Sequence, residues 1–171
     1  DPSEAMTVAR ALSDLNLMWY EEPVKHEHPA QLARITGAID IPTASAESVF
    51  GMEGFRPFLT DRIVDILMPD IKHCGGLAEL RNIAHAARMN GLLIAPHNPS
   101  GPVANVSSAH VCGVLPNFLI LEYAWGEVPW RSELLDPAEE IENGNLAVSN
   151  RPGLGYSLNM DAVDKHRKDI S

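Results

Sequence analysis

Five ionisable side chains recur at near-even spacing along the chain: Glu21, Glu47, Asp70, His97 and Glu122, separated by 26, 23, 27 and 25 residues. Each ends a short apolar run, as in L-M-W-Y-E, I-P-T-A-S-A-E, I-L-M-P-D, L-L-I-A-P-H and L-I-L-E. Gathered on one surface, several like charges repel one another, and a divalent cation relieves that repulsion. Hard carboxylate oxygens with no soft donor beside them suit Mg2+ better than zinc or copper. A histidine one run past an aspartate suits general acid-base work, the carboxylate fixing which ring nitrogen carries the proton. Such a set fits removal of a proton next to a carboxylate. It fits hydrolysis by metal-bound water less well, because no histidine-rich cage is present.

The elements between these residues supply the means of gathering them. Ala5, Val8, Leu12 and Leu15 have helical spacing, with Pro2 and Glu4 suited to a first turn. Residues 17 to 21 read as a strand and 30 to 38 as a helix. Residues 39 to 47 read as a strand, followed by a helix opening at F-G-M-E-G-F and a third strand over 63 to 70. Leu77, Leu80, Ile83, Ala84 and Ala87 mark the clearest amphipathic helix, which Gly91 should close. A fourth strand over 91 to 97, a helix over 103 to 114 and a fifth strand over 119 to 123 complete the series. Alternation with short links predicts a parallel sheet, and continuous apolar strands predict burial on both faces. The fold class expected is α/β, a partial (β/α)8 barrel of about five strand-helix units whose strand ends share one rim. Residues 1–125 form this barrel part. Residues 126–171, with turns at E-N-G-N and R-P-G-L-G and a short polar helix near 160 to 168, form a tail wrapping the barrel or a capping domain.

Composition narrows the partners. There are 23 acidic residues against 13 basic ones, a net charge of -10, which argues against nucleic acid and anionic membrane. Apolar runs of only about seven or eight residues fall short of the roughly 20 needed to cross a bilayer. Cys74 and Cys112 lie far apart with no C-x-x-C partner. They read as reduced and buried, which suits the cytoplasm. The opening D-P-S-E-A-M has neither the basic start nor the apolar core of a signal peptide, and it begins inside a helical pattern. The expectation is a fragment of a longer chain.

The motifs W-Y-E-E-P-V, I-P-T-A-S-A-E-S, M-P-D-I-K-H-C-G-G, I-A-P-H-N-P-S-G-P, N-F-L-I-L-E-Y and P-G-L-G run through nearly all of the sequence in order. In these the chain resembles the C-terminal part of an enolase-superfamily enzyme of the mandelate racemase subgroup, nearest to galactonate dehydratase-like proteins. That superfamily uses a lysine or histidine base with Mg2+ stabilising an enediolate. The resemblance implies that Glu21 and Glu47 are the second and third metal ligands. It makes Asp70 and His97 an acid-base dyad and sets Glu122 near the substrate carboxylate. Glu22 would support the site. The first metal ligand, in a D-x-H motif, would lie upstream of Asp1, together with a Lys-x-Lys strand and a capping domain. The implied reaction is Mg2+-dependent dehydration of a galactonate-like sugar acid to a 2-keto-3-deoxy acid, by a protein that is a homo-oligomer when full length.

Blander readings stand beside these. Any single glutamate is by default a solvated acid, and Asp70 could simply cap a helix starting near Gly76. His26 and His28 in K-H-E-H-P look like a metal pair but fit a solvated loop better, and His73 could face the pocket. Trp125 would wall the substrate together with Glu122 and His97, though packing of the tail explains Trp125 and Trp130 equally well. The rival enzyme is a racemase or epimerase on the same scaffold. The rival from another class is a truncated, non-catalytic remnant. The fragment alone is expected to be inactive.

Overall fold

The computed structural model describes residues 1–167. Helix α1 (Pro2–Leu12) is capped by Asp1, whose side chain accepts from the Ser3 and Glu4 amides while Glu4 reaches back in a capping box. A 3-10 turn over Ser13–Leu15 ends at Asn16 in the left-handed region and releases the chain into the first strand.

Four parallel strands follow in sequence order: β1 (Tyr20–Glu21), β2 (Thr43–Ser45), β3 (Ile66–Leu67) and β4 (Leu93–Ile94). Tyr20 lies opposite Thr43, Ala44 opposite Ile66 and Leu67 opposite Ile94. The regular ladders are shorter than the apolar runs, but pairing continues towards the rim. The Glu22 amide donates to Ala44 O, Met68 to Ser45 O and Ala95 to Leu67 O. The expected fifth strand joins by a single parallel bridge, Ile94 to Phe118, extended by Leu119 N–H donating to Ile94 O at 2.8 Å. Its far side has no strand neighbour among the described residues, and Phe118, Leu119 and Ile120 are exposed there.

Helices α2 (Pro29–Thr36), α3 (Gly51–Thr60), α5 (Leu77–Met89) and α6 (Pro102–Cys112) connect these strands. The arrangement is a partial TIM-type barrel. Its strands alternate between two faces. Leu67 and Ile94 point towards the helices and pack with Leu32, Phe55, Leu80 and Ile83, while Ala44, Ile66, Met68 and Ala95 form a separate cluster on the other side with Trp19. That period of two is the geometry of an extended chain. Helix α5 buries Leu80, Ile83, Ala84 and Ala87 completely. Each large side chain so buried contributes about 1.5–3 kcal/mol, which is why this stripe was the most readable helix in the sequence. Asn90 caps α5, and Gly91 follows at φ 73, the left-handed conformation expected of a glycine after a helix.

A short helix absent from the sequence reading, α4 (Ile71–Cys74), occupies the link between β3 and α5. Asp70 therefore caps this nearer turn rather than one starting at Gly76. Gly75 at φ 118 and Gly76 at φ 89 make the tight connection into α5.

Beyond residue 125, β5 (Leu135–Asp136) pairs antiparallel with β8 (Ser157–Leu158), and β6 (Ile141–Glu142) with β7 (Asn145–Leu146). The E-N-G-N turn joins β6 to β7 with Asn143 and Gly144 both at positive φ, as a two-residue hairpin requires. Helix α7 (Met160–His166) is capped by Asn159 and gives way to an extended Arg167, short of the expected end at Lys168, which itself lies outside the described residues. Arg131 donates to Ser100 O, Asn105 to Glu139, and the His110 ring meets Leu154 O, so this segment is hydrogen-bonded to the barrel part. Among the described residues no helix is long and apolar enough to cross a membrane.

Candidate active site

Asp70 and His97 stand at the ends of neighbouring strands, each two residues past a member of the inner cluster, Met68 and Ala95. Alternation thus aims both inwards. The Asp70 side chain is fully buried, and its two oxygens divide their work. Oδ1 accepts from the Lys72 amide at 2.7 Å and caps α4, while Oδ2 meets His97 Nδ1 at 3.0 Å. Lys72 Nζ also approaches Oδ2, at 3.4 Å. A carboxylate on Nδ1 makes that nitrogen the donor, which leaves Nε2 to face the rim.

Two further carboxylates surround Nε2: Glu47 Oε2 at 3.3 Å and Glu122 Oε2 at 4.0 Å. The histidine is only 18% exposed, and the two glutamates are 31% and 42% exposed, so the group is open on one side. The structure therefore brings Glu47, Asp70, His97 and Glu122 together around one imidazole. Glu21 ends β1, the strand beside β2, and its Oε2 accepts from Trp19 Nε1 at 2.9 Å.

Glu47 reaches this group by a device that strand counting misses. Ala44 belongs to the inner cluster, whereas Ala46 packs with the helix-side core, so the alternation breaks between them. Ala46 has φ 90, a left-handed conformation that a residue with a Cβ adopts only when held. The holder is Glu22, whose Oε1 accepts from Ser45 Oγ at 2.7 Å and from Ala46 N at 3.0 Å. Glu22 is itself at φ 41. Strained positions clustered beside functional groups are a recurrent feature of active sites. The second acid of E-E-P thus braces the turn that re-aims Glu47. No pattern in the sequence signals the left-handed Ala46.

Other residues singled out in the sequence lie elsewhere. His73 is exposed on α4, and His28 occupies the cap position of α2 without a side-chain cap bond. Trp125 is exposed and packs against Tyr123 at 6.1 Å. It lines a largely apolar cavity of about 690 Å3 with Phe118, Ile120, Leu121 and Leu146, and none of the five rim groups lines that cavity. Trp130 stacks on His166 at 4.2 Å in the tail. Both thiols are free and buried, and burial pushes Cys74 up to about 11 and Cys112 up to about 12.

Among the described residues no three histidine, cysteine, aspartate or glutamate side chains converge as a complete metal shell. The donors present nevertheless fit Mg2+. That ion is usually held by one or two carboxylates, with water and substrate oxygens completing its octahedron. Glu21 at the end of β1 and Glu47, two residues past the end of the adjacent parallel β2, offer two such carboxylates.

Residues 1–162 match the family described as enolase C-terminal domain-like. The chain belongs to that family. A D-xylonate dehydratase of Haloferax volcanii is 36% identical over 162 residues, covering 95% of this chain and 39% of the relative. A D-galactonate dehydratase of Pectobacterium atrosepticum is 30% identical, covering 99% of this chain and 46% of the relative. A solved structure from Burkholderia xenovorans, bound to magnesium and fumarate, superposes with a TM-score of 0.90 at 29% identity, over 99% of this chain and 41% of that one. The chain thus spans less than half the length of the relatives it matches.

Proposed function

We propose that this chain is the catalytic-rim portion of a Mg2+-dependent sugar-acid dehydratase acting on a galactonate-like aldonate. The observation that carries the reading is the His97 imidazole held by buried Asp70 on one nitrogen and faced by Glu47 and Glu122 on the other. The likeness to dehydratases of xylonate and galactonate supports a sugar-acid substrate.

Glu21 and Glu47 would hold Mg2+, which when bound supplies positive charge to the substrate carboxylate as its neighbouring carbon loses a proton. Asp70 keeps the proton of His97 on Nδ1, so Nε2 is the atom that takes or returns a proton at the substrate. Glu122, beside Nε2, would face the substrate carboxylate end, whereas Trp125, expected to wall the substrate, lines a cavity apart from the rim groups. Breaking the C2–H bond leaves its electron pair to form the C2–C3 double bond as the 3-hydroxyl departs. That hydroxyl leaves as water with a proton supplied by an acid. The enol product then becomes a 2-keto-3-deoxy acid. A cytoplasmic enzyme, oligomeric when full length, accords with this reading.

The test is a panel of aldonates incubated with Mg2+ and the full-length protein, because the chain alone is expected to be inactive, with 2-keto-3-deoxy acids quantified and solvent deuterium at C2 followed by NMR. Keto acid formation that stops when Mg2+ is chelated supports the proposal. Deuterium exchange or inversion at C2 without loss of water would replace it with a racemase or epimerase. No reaction together with no Mg2+-induced rise in melting temperature would leave a non-catalytic remnant.

A further inference from the structure

Glu122 has a weak backbone hold. Its amide meets Pro96 O at 3.4 Å, and its strand is bridged on one side only among the described residues. Its carboxylate is nonetheless placed, because Asn98 grips the residue twice. The Asn98 backbone N–H donates to Glu122 Oε2 at 2.7 Å, and Asn98 Nδ2 donates to Glu122 O at 3.0 Å. The first is short and charge-assisted, the stronger kind of hydrogen bond.

Asn98 is 1% exposed and is itself fixed. The second hydrogen on Nδ2 goes to Asn105 Oδ1 at 2.7 Å, so both donors of the amide are spent and the side chain has one orientation. Asn105 Nδ2 donates in turn to Glu139 Oε1 at 2.6 Å, and Glu139 Oε2 accepts from Arg131 Nε at 3.0 Å. The Arg131 and Glu139 side chains are 11% and 5% exposed. Arg131 then returns to the rim, donating to Ser100 O and lying 4.6 Å over the ring of Tyr123, the residue after Glu122. A buried ion pair adds little net stability, and its better-attested use is to specify position.

We propose that Asn98 is a positioning residue for Glu122, and that the buried chain Asn105–Glu139–Arg131 carries its placement from the C-terminal tail to the rim. The proposal deepens the dehydratase reading in giving Glu122 a substrate-facing role, but the hydrogen-bond path itself needs neither substrate nor metal. It explains why a polar, charged path runs from residue 139 through the buried side of α6 to the rim.

The test uses amide NMR and hydrogen exchange on the full chain, with neither Mg2+ nor sugar acid present. In the wild type the Asn98 amide proton should resonate far downfield, and Glu122→Gln should move it upfield by removing the charge on the acceptor. Asn105→Leu and, separately, Glu139→Gln should move the same proton upfield and speed its exchange roughly tenfold. The Ile83 amide in α5 should keep its wild-type protection in both. An unmoved Asn98 proton in both variants overturns the proposal. So does a uniform rise in exchange that includes Ile83, which would make the cluster a general stabiliser. Failure of the aldonate panel with the Asn98 effects intact would overturn the dehydratase reading and leave the positioning path standing.

Discussion

Replacing Glu22 by alanine tests whether one carboxylate aims another. The Glu22 Oε1 atom accepts two hydrogen bonds, from Ser45 Oγ and Ala46 N, and both of those residues are fully buried. Hydrogen bonds to a charged group contribute about 1.5–3 kcal/mol each, and orphaning a buried donor forfeits its solvation as well. Release of the left-handed Ala46 returns about 1 kcal/mol, at the low end for such strain. Because Glu22 is itself half-exposed, the net loss should be about 2–3 kcal/mol. For a chain of this size that lowers the melting temperature by roughly 4–12 °C. Glu22→Gln keeps an acceptor oxygen and should lose about half as much. The larger effect should be on Mg2+: with Ala46 free to relax, Glu47 returns to the helix-side parity and leaves His97. Thermal melts with and without millimolar MgCl2 measure both effects. In Glu22→Ala the Mg2+-induced rise expected of the wild type should vanish. A Glu22→Ala protein that is destabilised yet keeps the whole Mg2+ shift would refute the reasoning.

Four further outcomes follow from other parts of the molecule. In the full-length protein Asp70→Asn keeps an oxygen for the Lys72 amide but lets the His97 ring take the wrong tautomer, so deuterium exchange into an aldonate should fall by about 10²–10⁴-fold with little loss of stability. Cys74 and Cys112 should resist iodoacetamide at pH 8 in the folded protein and react only on denaturation, as intact mass would show. Their folded thiols titrate near 11 and 12 against an ordinary value of 9.0. The thiols' contribution to stability is therefore fully present below pH 9 and is lost as pH rises towards 11, where the unfolded chain ionises and the folded one does not. In urea melts Cys112→Ala should flatten that decline. Asn117 Nδ2 donates to Ala84 O and Leu92 O in the interior, so Asn117→Asp, which turns a donor into a charge facing two carbonyls, should destabilise by about 3 kcal/mol or more in the same melts.

The sequence carried the barrel because its evidence is repeated. Apolar strands, amphipathic helices such as the Leu80–Ile83–Ala87 stripe, and an ionisable residue at each strand end recur four or five times. Each repetition makes the others harder to attribute to chance. Asp70 and His97 were legible for the same reason, since each sits two residues past an inward apolar side chain and a period of two carries the direction forward. The parts that were not legible depend on single hydrogen bonds. Helix α4 is only four residues long and owes its start to Asp70 Oδ1. The turn at Ala46 defies the preference of its own residue type and exists only because Glu22 reaches across from the neighbouring strand.

Asp70 shows why choosing between a structural and a functional reading misleads. Its sequence context allowed either a helix cap or half of an acid-base dyad, and the geometry leaves room for both, with Oδ1 capping α4 and Oδ2 meeting His97 Nδ1. The two roles reinforce one another. A carboxylate free to rotate about its last bond would offer His97 either oxygen and fix neither distance nor angle. With Oδ1 held by the Lys72 amide, Oδ2 has one position, and the imidazole it holds presents Nε2 to Glu47 and Glu122 in one direction. Glu22 does for Glu47 what the α4 amide does for Asp70, and Asn98 does it for Glu122. At each rim carboxylate around the histidine, the group that would do chemistry is therefore held by a neighbour that would not.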